Sequence, residues 1–220
     1  TETNNIKGIV CEKVSYSWMK NPGENDFIFK DISFSIKQGE FVSFIGPSGC
    51  GKSTLLNIIS GLIAPFSGKV LKDGMEVTEP NKDLGFVFQD YSLFPWLSVK
   101  NNIAFGLNLN GKAKGEIEDI TDAILKRVGL WDARKKTPFQ LSGGMKQRTA
   151  IARVLANNSS YLLMDEPFAA LDAQTRTLMH AQLQDLWVQT RKTILFVTHS
   201  VGEAVRLADQ QGGGGIDDQL

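Results

Sequence analysis

The hydrophobic pattern of the first forty residues is that of strands. Residues 8–18 predict a strand, and a turn-rich stretch over 20–26 follows it. In 31–37, Ile32, Phe34 and Ile36 stand between polar neighbours, the period of a half-buried strand. Residues 41–45 form a short apolar run that ends in a glycine-rich loop, and 53–62 then predicts a helix. Further strands are predicted over 68–73 and 84–88. Within 116–128, Ile117, Ile120, Ile124, Leu125 and Val128 fall on one helical face. Residues 143–157 predict a helix. Residues 161–164 are continuously apolar, as a buried parallel strand should be. A helix over 173–190, a strand over 193–197 and a helix over 201–208 complete the pattern. Strands alternating with helices predict an α/β fold with a mainly parallel core sheet, and the β-rich start predicts an N-terminal antiparallel flank. No internal repeat is present. The tail over 210–220 contains four consecutive glycines and cannot pack a core; it reads as a flexible linker or a truncated end, which leaves 1–209 as the folded domain.

Composition narrows the function classes. The chain has 220 residues, 42% hydrophobic and 22% charged, enough for one large domain or two small ones and for a substantial core. Acidic and basic residues balance at 24 each, which argues against a domain that works by neutralising nucleic-acid phosphates. Two cysteines, Cys11 and Cys50, make no disulfide framework and fit a reducing cytosol. No apolar run approaches the ~20 residues that span a membrane, and no secretory signal opens the chain. A role at a membrane would therefore require docking onto another subunit. The chain opens on Thr1, so its first residues read as processed or added.

Three motifs carry chemistry. Gly46-Pro47-Ser48-Gly49-Cys50-Gly51-Lys52-Ser53 matches G-x-x-x-x-G-K-[ST] in full. Its glycines let successive backbone N–H groups turn toward phosphate oxygens, and the helix that follows presents its positive end. Lys52 would reach the β- and γ-phosphates of ATP, and the Ser53 hydroxyl would ligate Mg²⁺. Thr54 completes the ATP-binding set. A plain glycine-rich turn is the bland alternative, but the position after an apolar strand is what phosphate binding requires. Cys50 reads as a small filler rather than a redox centre, although it lies close enough to phosphate to be alkylated. The second motif is Tyr161-Leu162-Leu163-Met164-Asp165-Glu166, which places two carboxylates at the C-terminal end of a buried strand. Open α/β sheets bind ligands there. Asp165 would hold Mg²⁺ through water, and Glu166 would act as general base on the attacking water. Third, Leu141-Ser142-Gly143-Gly144-Met145 opens a helix rich in alanine and aliphatics. Ser142 can cap that helix while Gly143 and Gly144 admit an anion, a second phosphate-binding helix terminus in one chain.

In this ordered set the sequence resembles the ATP-binding cassette (ABC) ATPases, whose signature reads LSGGQ, from about Ile6 to Asp209. Met145 replaces the usual glutamine. The resemblance implies a P-loop NTPase fold with a helical signature subdomain over about 92–157. It makes Trp18 the aromatic that stacks on adenine, with Tyr16 as the competing choice. It makes Gln89 the glutamine that contacts Mg²⁺ and attacking water, so that Ser53, Gln89 and Asp165 surround the metal. Ala169-Ala170-Leu171-Asp172 resembles the D-loop at the dimer interface. His199 resembles the switch histidine on the γ-phosphate, completing a catalytic set of Glu166, His199, Gln89 and Lys52. His180 receives no role. The family also implies a head-to-tail dimer of two copies, in which Ser142, Gly143, Gly144 and Met145 of one close over the ATP held by Lys52 of the other.

The run Tyr91, Leu93, Phe94, Trp96 and Leu97 falls where the family receives a coupling helix from a transmembrane permease. With Met145, the Phe94-Pro95-Trp96 wording is similar to importers of nitrate, taurine and aliphatic sulfonates. The expectation is a Mg-dependent ATPase on the cytoplasmic face of the inner membrane. It would power import of a small anion delivered by a solute-binding protein. An exporter or lipid-extraction ATPase shares the catalytic motifs. A soluble ABC ATPase acting on ribosomes or DNA usually carries two cassettes, long insertions or basic extensions, none of which is evident here. After Asp209 the family continues into a further strand, whereas this chain turns to glycine.

Overall fold

Two four-stranded sheets organise the chain. The computed structural model describes residues 7–169 and 171–209; the glycine-rich tail and Ala170 of the expected D-loop lie outside them. The first sheet has the order β2-β1-β4-β5, from β1 (Gly8–Tyr16), β2 (Phe29–Lys37), β4 (Ser67–Lys72) and β5 (Met75–Glu76). Its pairs are antiparallel, as the early alternation predicts. The second has the order β3-β8-β7-β6, from β3 (Phe41–Ile45), β6 (Leu84–Val87), β7 (Tyr161–Asp165) and β8 (Thr193–Thr198), and every pair in it is parallel. The central strands β7 and β8 are buried along their whole length, which is why they read as unbroken apolar runs.

Helix α1 (Lys52–Ile59) lies between the sheets. Leu55, Leu56, Ile58 and Ile59 share one core with Ile9, Val14 and Ile36 of the first sheet and Leu163, Leu195 and Val197 of the second. Cys11 belongs to this core, and burial pushes its thiol up to about 12, so it is chemically quiet. The helix stops three residues short of the predicted end. Gly61, at φ 78°, sits where a Cβ would come within 2.5 Å of the Glu79 carbonyl oxygen. The sheets are also joined by a polar bolt. Lys72 on β4 bonds Asp73 (3.0 Å) and Asp83 (2.9 Å), and Tyr161 on β7 donates to Asp73. Burial alone would lower the Lys72 pKa and raise those of the two acids. The hydrogen bonds outweigh it, so lysine is shifted up and both carboxylates down.

The opposite face of the parallel sheet is covered by α4 (Gly143–Ala156), α5 (Ala173–Thr190) and α6 (Val201–Asp209), through Ile151, Val154, Met179, Leu183, Leu186 and Leu207. Helices α2 (Val99–Leu109), α3 (Lys114–Arg127) and α4 enclose a third core around Ile103, Leu107, Leu125 and Ala152. The sequence pattern did not predict α2. Ser98 caps it, and Val99, Ile103, Ala104 and Leu107 form its buried face.

Candidate active site

The loop between β3 and α1 is shaped by glycine. Gly49 and Gly51 hold φ of 87° and 99°, and a Cβ on Gly51 would lie 2.6 Å from Ile28 Cγ2. The conformation and the close approach both require glycine there. With Gly51 at its N-cap, α1 has no side-chain cap. Among the described residues, the N–H groups of Gly49, Gly51, Lys52, Ser53 and Thr54 have no protein acceptor; Leu55 is the first to bond back, to Gly51 O at 2.8 Å. Lys52 is buried, and its Nζ donates to the carbonyls of Gly46 (2.8 Å) and Pro47 (2.7 Å), with Cys50 Sγ at 3.7 Å. Pro47, Ser48 and Gly49 form the exposed rim. Free backbone donors around a lysine ammonium are the donor set for phosphate.

Beside this loop, β7 ends on its two carboxylates. Ser53 Oγ donates to Asp165 Oδ1 at 3.0 Å. Burial, aided by the charge of Glu166, raises the Asp165 pKa; the Ser53 bond and Lys52 oppose the rise. A hydroxyl and a carboxylate oxygen brought together are the hard ligands Mg²⁺ takes from protein, and a cation there would relieve the unfavourable Asp165 charge. Glu166 follows in the left-handed region, at φ 43°, its N–H bonded to Val197 O at 3.0 Å. This non-glycine strain costs about 1–3 kcal/mol and is characteristic of functional sites. It places Glu166 Oε2 3.0 Å from His199 Nδ1, just past β8. The loop after β3 and the ends of β7 and β8 thus converge at the C-terminal edge of neighbouring parallel strands.

Other predicted residues lie apart from this cluster. Gln89 is exposed just past β6 and makes no hydrogen bond to it. Ser142 caps α4 by accepting from Met145 N–H at 3.3 Å, and the N–H groups of Gly143 and Gly144 have no protein acceptor among the described residues. None of the hydrogen bonds of 142–145 reaches the loop over 46–54. Instead, Met145 packs on the helical core, and Gly144 faces Leu171 and Thr175. Of the competing aromatics, Tyr16 is a core residue, whereas Trp18 is 68% exposed and stands edge-on to Tyr16 at 5.0 Å.

The profile of the ABC transporter family matches residues 29–169. The chain belongs to the ABC transporter family. An uncharacterized ABC transporter ATP-binding protein of Methanocaldococcus jannaschii is 53% identical over 82% of this chain and 67% of its own length. The taurine import ATP-binding protein of Roseobacter denitrificans is 44% identical over 93% and 76%. The nitrate import ATP-binding protein of Synechocystis sp. is 51% identical over 82% and 68%. Among solved structures, a dimeric ATP-binding cassette in a post-hydrolysis state with ADP and Pi aligns at a TM-score of 0.80, with 35% identity over 89% of this chain and 90% of that one. The protein is an ATP-hydrolysing transporter subunit of this family.

In this ABC subunit, the expected docking run divides. Tyr91 and Leu93 pack on the core under the parallel sheet, while Trp96 is exposed. Phe94 lines a groove of about 530 Å3 with Phe86, Phe88, Phe105, Leu109 and Arg153. Three supporting residues were not anticipated. Asn102 is fully buried on α2 and bonds the backbone of Phe94, Leu97 and Ser98, riveting the loop to the helix. Arg153 of α4 donates to Ser92 O (2.6 Å) and Tyr91 O (3.3 Å), two consecutive residues at φ 43° and 66°. Glu203 is buried and accepts from Thr198, the neighbour of His199. The last left a trace in the sequence: an acid within a helix whose inner face, Ala204 and Leu207, is apolar.

Proposed function

We propose that the chain powers a binding-protein-dependent importer of a small anion by hydrolysing Mg-ATP with Glu166 as general base. The observation that carries the hydrolytic part is the 3.0 Å approach of Glu166 Oε2 to His199 beside the 3.0 Å Ser53–Asp165 pair. Backbone N–H groups of 49–54 bind the phosphates, and Lys52 exchanges its loop carbonyls for the β- and γ-oxygens. Ser53 and Asp165, with Gln89 from the end of β6, would hold Mg²⁺, which would supply charge neutralisation for the phosphates. Glu166 orients the attacking water and accepts its proton; His199 holds the Glu166 carboxylate and reaches the γ-phosphate. Trp18 offers its open face to adenine. Ser142, Gly143, Gly144 and Met145 lie away from this cluster with N–H groups to spare, so they complete the site of a second copy packed head to tail. That a similar cassette is dimeric in two solved structures supports this arrangement.

Glu166→Gln keeps the hydrogen-bonding shape and removes the base. It is expected to bind ATP as the unaltered chain does and to lose turnover by at least ~100-fold. Hydrolysis near the normal rate would exclude Glu166 as the base.

The importer reading rests on the relatives that import taurine and nitrate. No helix of the described residues is long and apolar enough to cross a membrane. A permease coupling helix seated in the groove beside Phe94 would hold the subunit on the cytoplasmic face. Leu109 is 74% exposed on the groove rim. Leu109→Asp is expected to leave melting temperature and basal ATPase unchanged and to cut copurification with the permease, since burying an unpaired charge costs several kcal/mol. Normal permease recovery would place the docking surface elsewhere.

A further inference from the structure

Helix α6 carries an acid at a depth where acids are rarely found. Glu203 is 9% exposed and is followed by buried Ala204. A carboxylate there must be held by hydrogen bonds. Its Oε2 accepts from Thr198 Oγ1 at 2.6 Å, at the buried end of β8. Thr198 Oγ1 in turn accepts from Ser200 N–H at 3.0 Å, and Glu203 N–H bonds Ser200 O at 3.1 Å. These bonds fasten the residues on both sides of His199. His199 itself has a half-exposed side chain, so its direction depends on the backbone turn beneath it.

The other carboxylate oxygen faces the helix that follows Glu166. Oε1 lies 3.7 Å from Arg176 Nε and 3.7 Å from His180 Nε2, both on α5. Arg176 also donates to Leu171 O at 2.8 Å, between Glu166 and α5. Neither ring nitrogen of His180 has a hydrogen-bond partner among the described residues, and burial lowers its pKa, so the ring is neutral and contributes packing against Phe168. A small cavity of about 50 Å3 bounded by Glu166, Arg176, His199 and Glu203 adjoins the network.

We infer that Glu203 is a positioning residue for catalysis: through Thr198 it fixes the turn that presents His199 to Glu166, and its charge faces the Arg176 guanidinium, whose own bond is to the segment following Glu166. This rests on the proposed roles of Glu166 and His199. The chain has only two histidines, so imidazole ¹⁵N resonances of the whole protein report His199 with one competitor. Thr198→Val preserves shape and deletes the hydroxyl. It is expected to lower kcat at saturating ATP by about tenfold or more, the size of effect a small misplacement produces. The Kd for ATP should stay within about twofold, and the His199 resonance should move toward its position in Glu166→Ala. Thr198→Ser restores the hydroxyl and should restore both kcat and the resonance. Glu203→Gln keeps an acceptor for Thr198 but loses the charge facing Arg176, and should lose about two- to fivefold in kcat with ATP binding intact. It carries the same test should Thr198→Val fail to fold. The inference is overturned if Thr198→Val turns over normally with His199 unmoved, if ATP binding falls in step with kcat, or if Thr198→Ser is equally impaired. Glu166→Gln and His199→Ala separate the two levels. If they retain hydrolysis, the underlying reading fails; if they abolish it while Thr198→Val and Glu203→Gln do not, Glu203 alone is misassigned.

Discussion

Helices α1 and α4 begin on sequences of the same kind, small residues with a serine or glycine at the boundary, yet their starts are built differently. At α1 the boundary residue is Gly51, left-handed and without a side chain, and the donors of Lys52, Ser53 and Thr54 remain free beside a buried lysine. At α4 the boundary residue is Ser142, extended, and its oxygen already satisfies Met145 N–H. The first start sets free N–H donors around the Lys52 ammonium, with the Ser53–Asp165 pair beside them. The second is a capped terminus on which, among the described residues, the N–H groups of Gly143 and Gly144 have no acceptor, and its nearest bonded cation, Arg148, donates to the Gly144 carbonyl at 3.4 Å. The donors and charges gathered at the two termini therefore differ although each presents the positive end of its helix dipole. Under the proposed function the first would suit primary binding, and the second closure over a ligand that is already held.

The sharpest way to break this comparison is complementation. Lys52→Ala removes binding in its own loop, and Ser142→Arg places bulk and charge at the α4 start. Each alone is expected to lower ATP turnover by at least ~100-fold. Ser142→Arg should still bind ATP. Mixed dimers would contain one intact composite site and regain hydrolysis; no regain at any ratio, with mixed dimers demonstrated, would refute sharing of the site.

Next in size is a glycine contrast, read by urea unfolding. Gly51→Ala meets Ile28 at 2.6 Å at a positive φ and should cost about 2–4 kcal/mol. Gly144→Ala meets Leu171 Cδ2 only at 3.5 Å, inside a helix, and should stay within about 0.5 kcal/mol of the unaltered chain. Equal losses would show that the two starts are equally tight. The smallest effect concerns the cap. Ser142→Ala should cost about 1 kcal/mol, lowering Tm by about 2–4 °C. An unchanged Tm would mean that Met145 N–H draws nothing from Ser142.

Much of this was legible in advance because the chemistry is local. The 46–53 motif contains its own turn, and Asp165 and Glu166 follow a run that only a buried strand explains. Even the element bounds shifted by a few residues at most, as with the Gly61 stop. The misses are tertiary. Helix α2 is weak by propensity, with Asn101, Asn102, Gly106 and Asn108 among its residues, and forms because its apolar face is buried and Asn102 finds backbone partners. The run over 91–97 looked like one surface; its turn sends Tyr91 and Leu93 inward and leaves Trp96 outside. Glu203 and Arg153 acquire meaning only from the distant segments they grip.

That grip of Arg153 has a mechanical consequence. The turn at Tyr91 and Ser92 is left-handed at both residues, a shape neither prefers, and its carbonyls are held by a guanidinium from α4. A strained turn clamped from outside is a bracket: one helix, α4, bears Ser142 at its start and near its end grips the turn that leads back to Gln89, so both segments are mounted on a single rod.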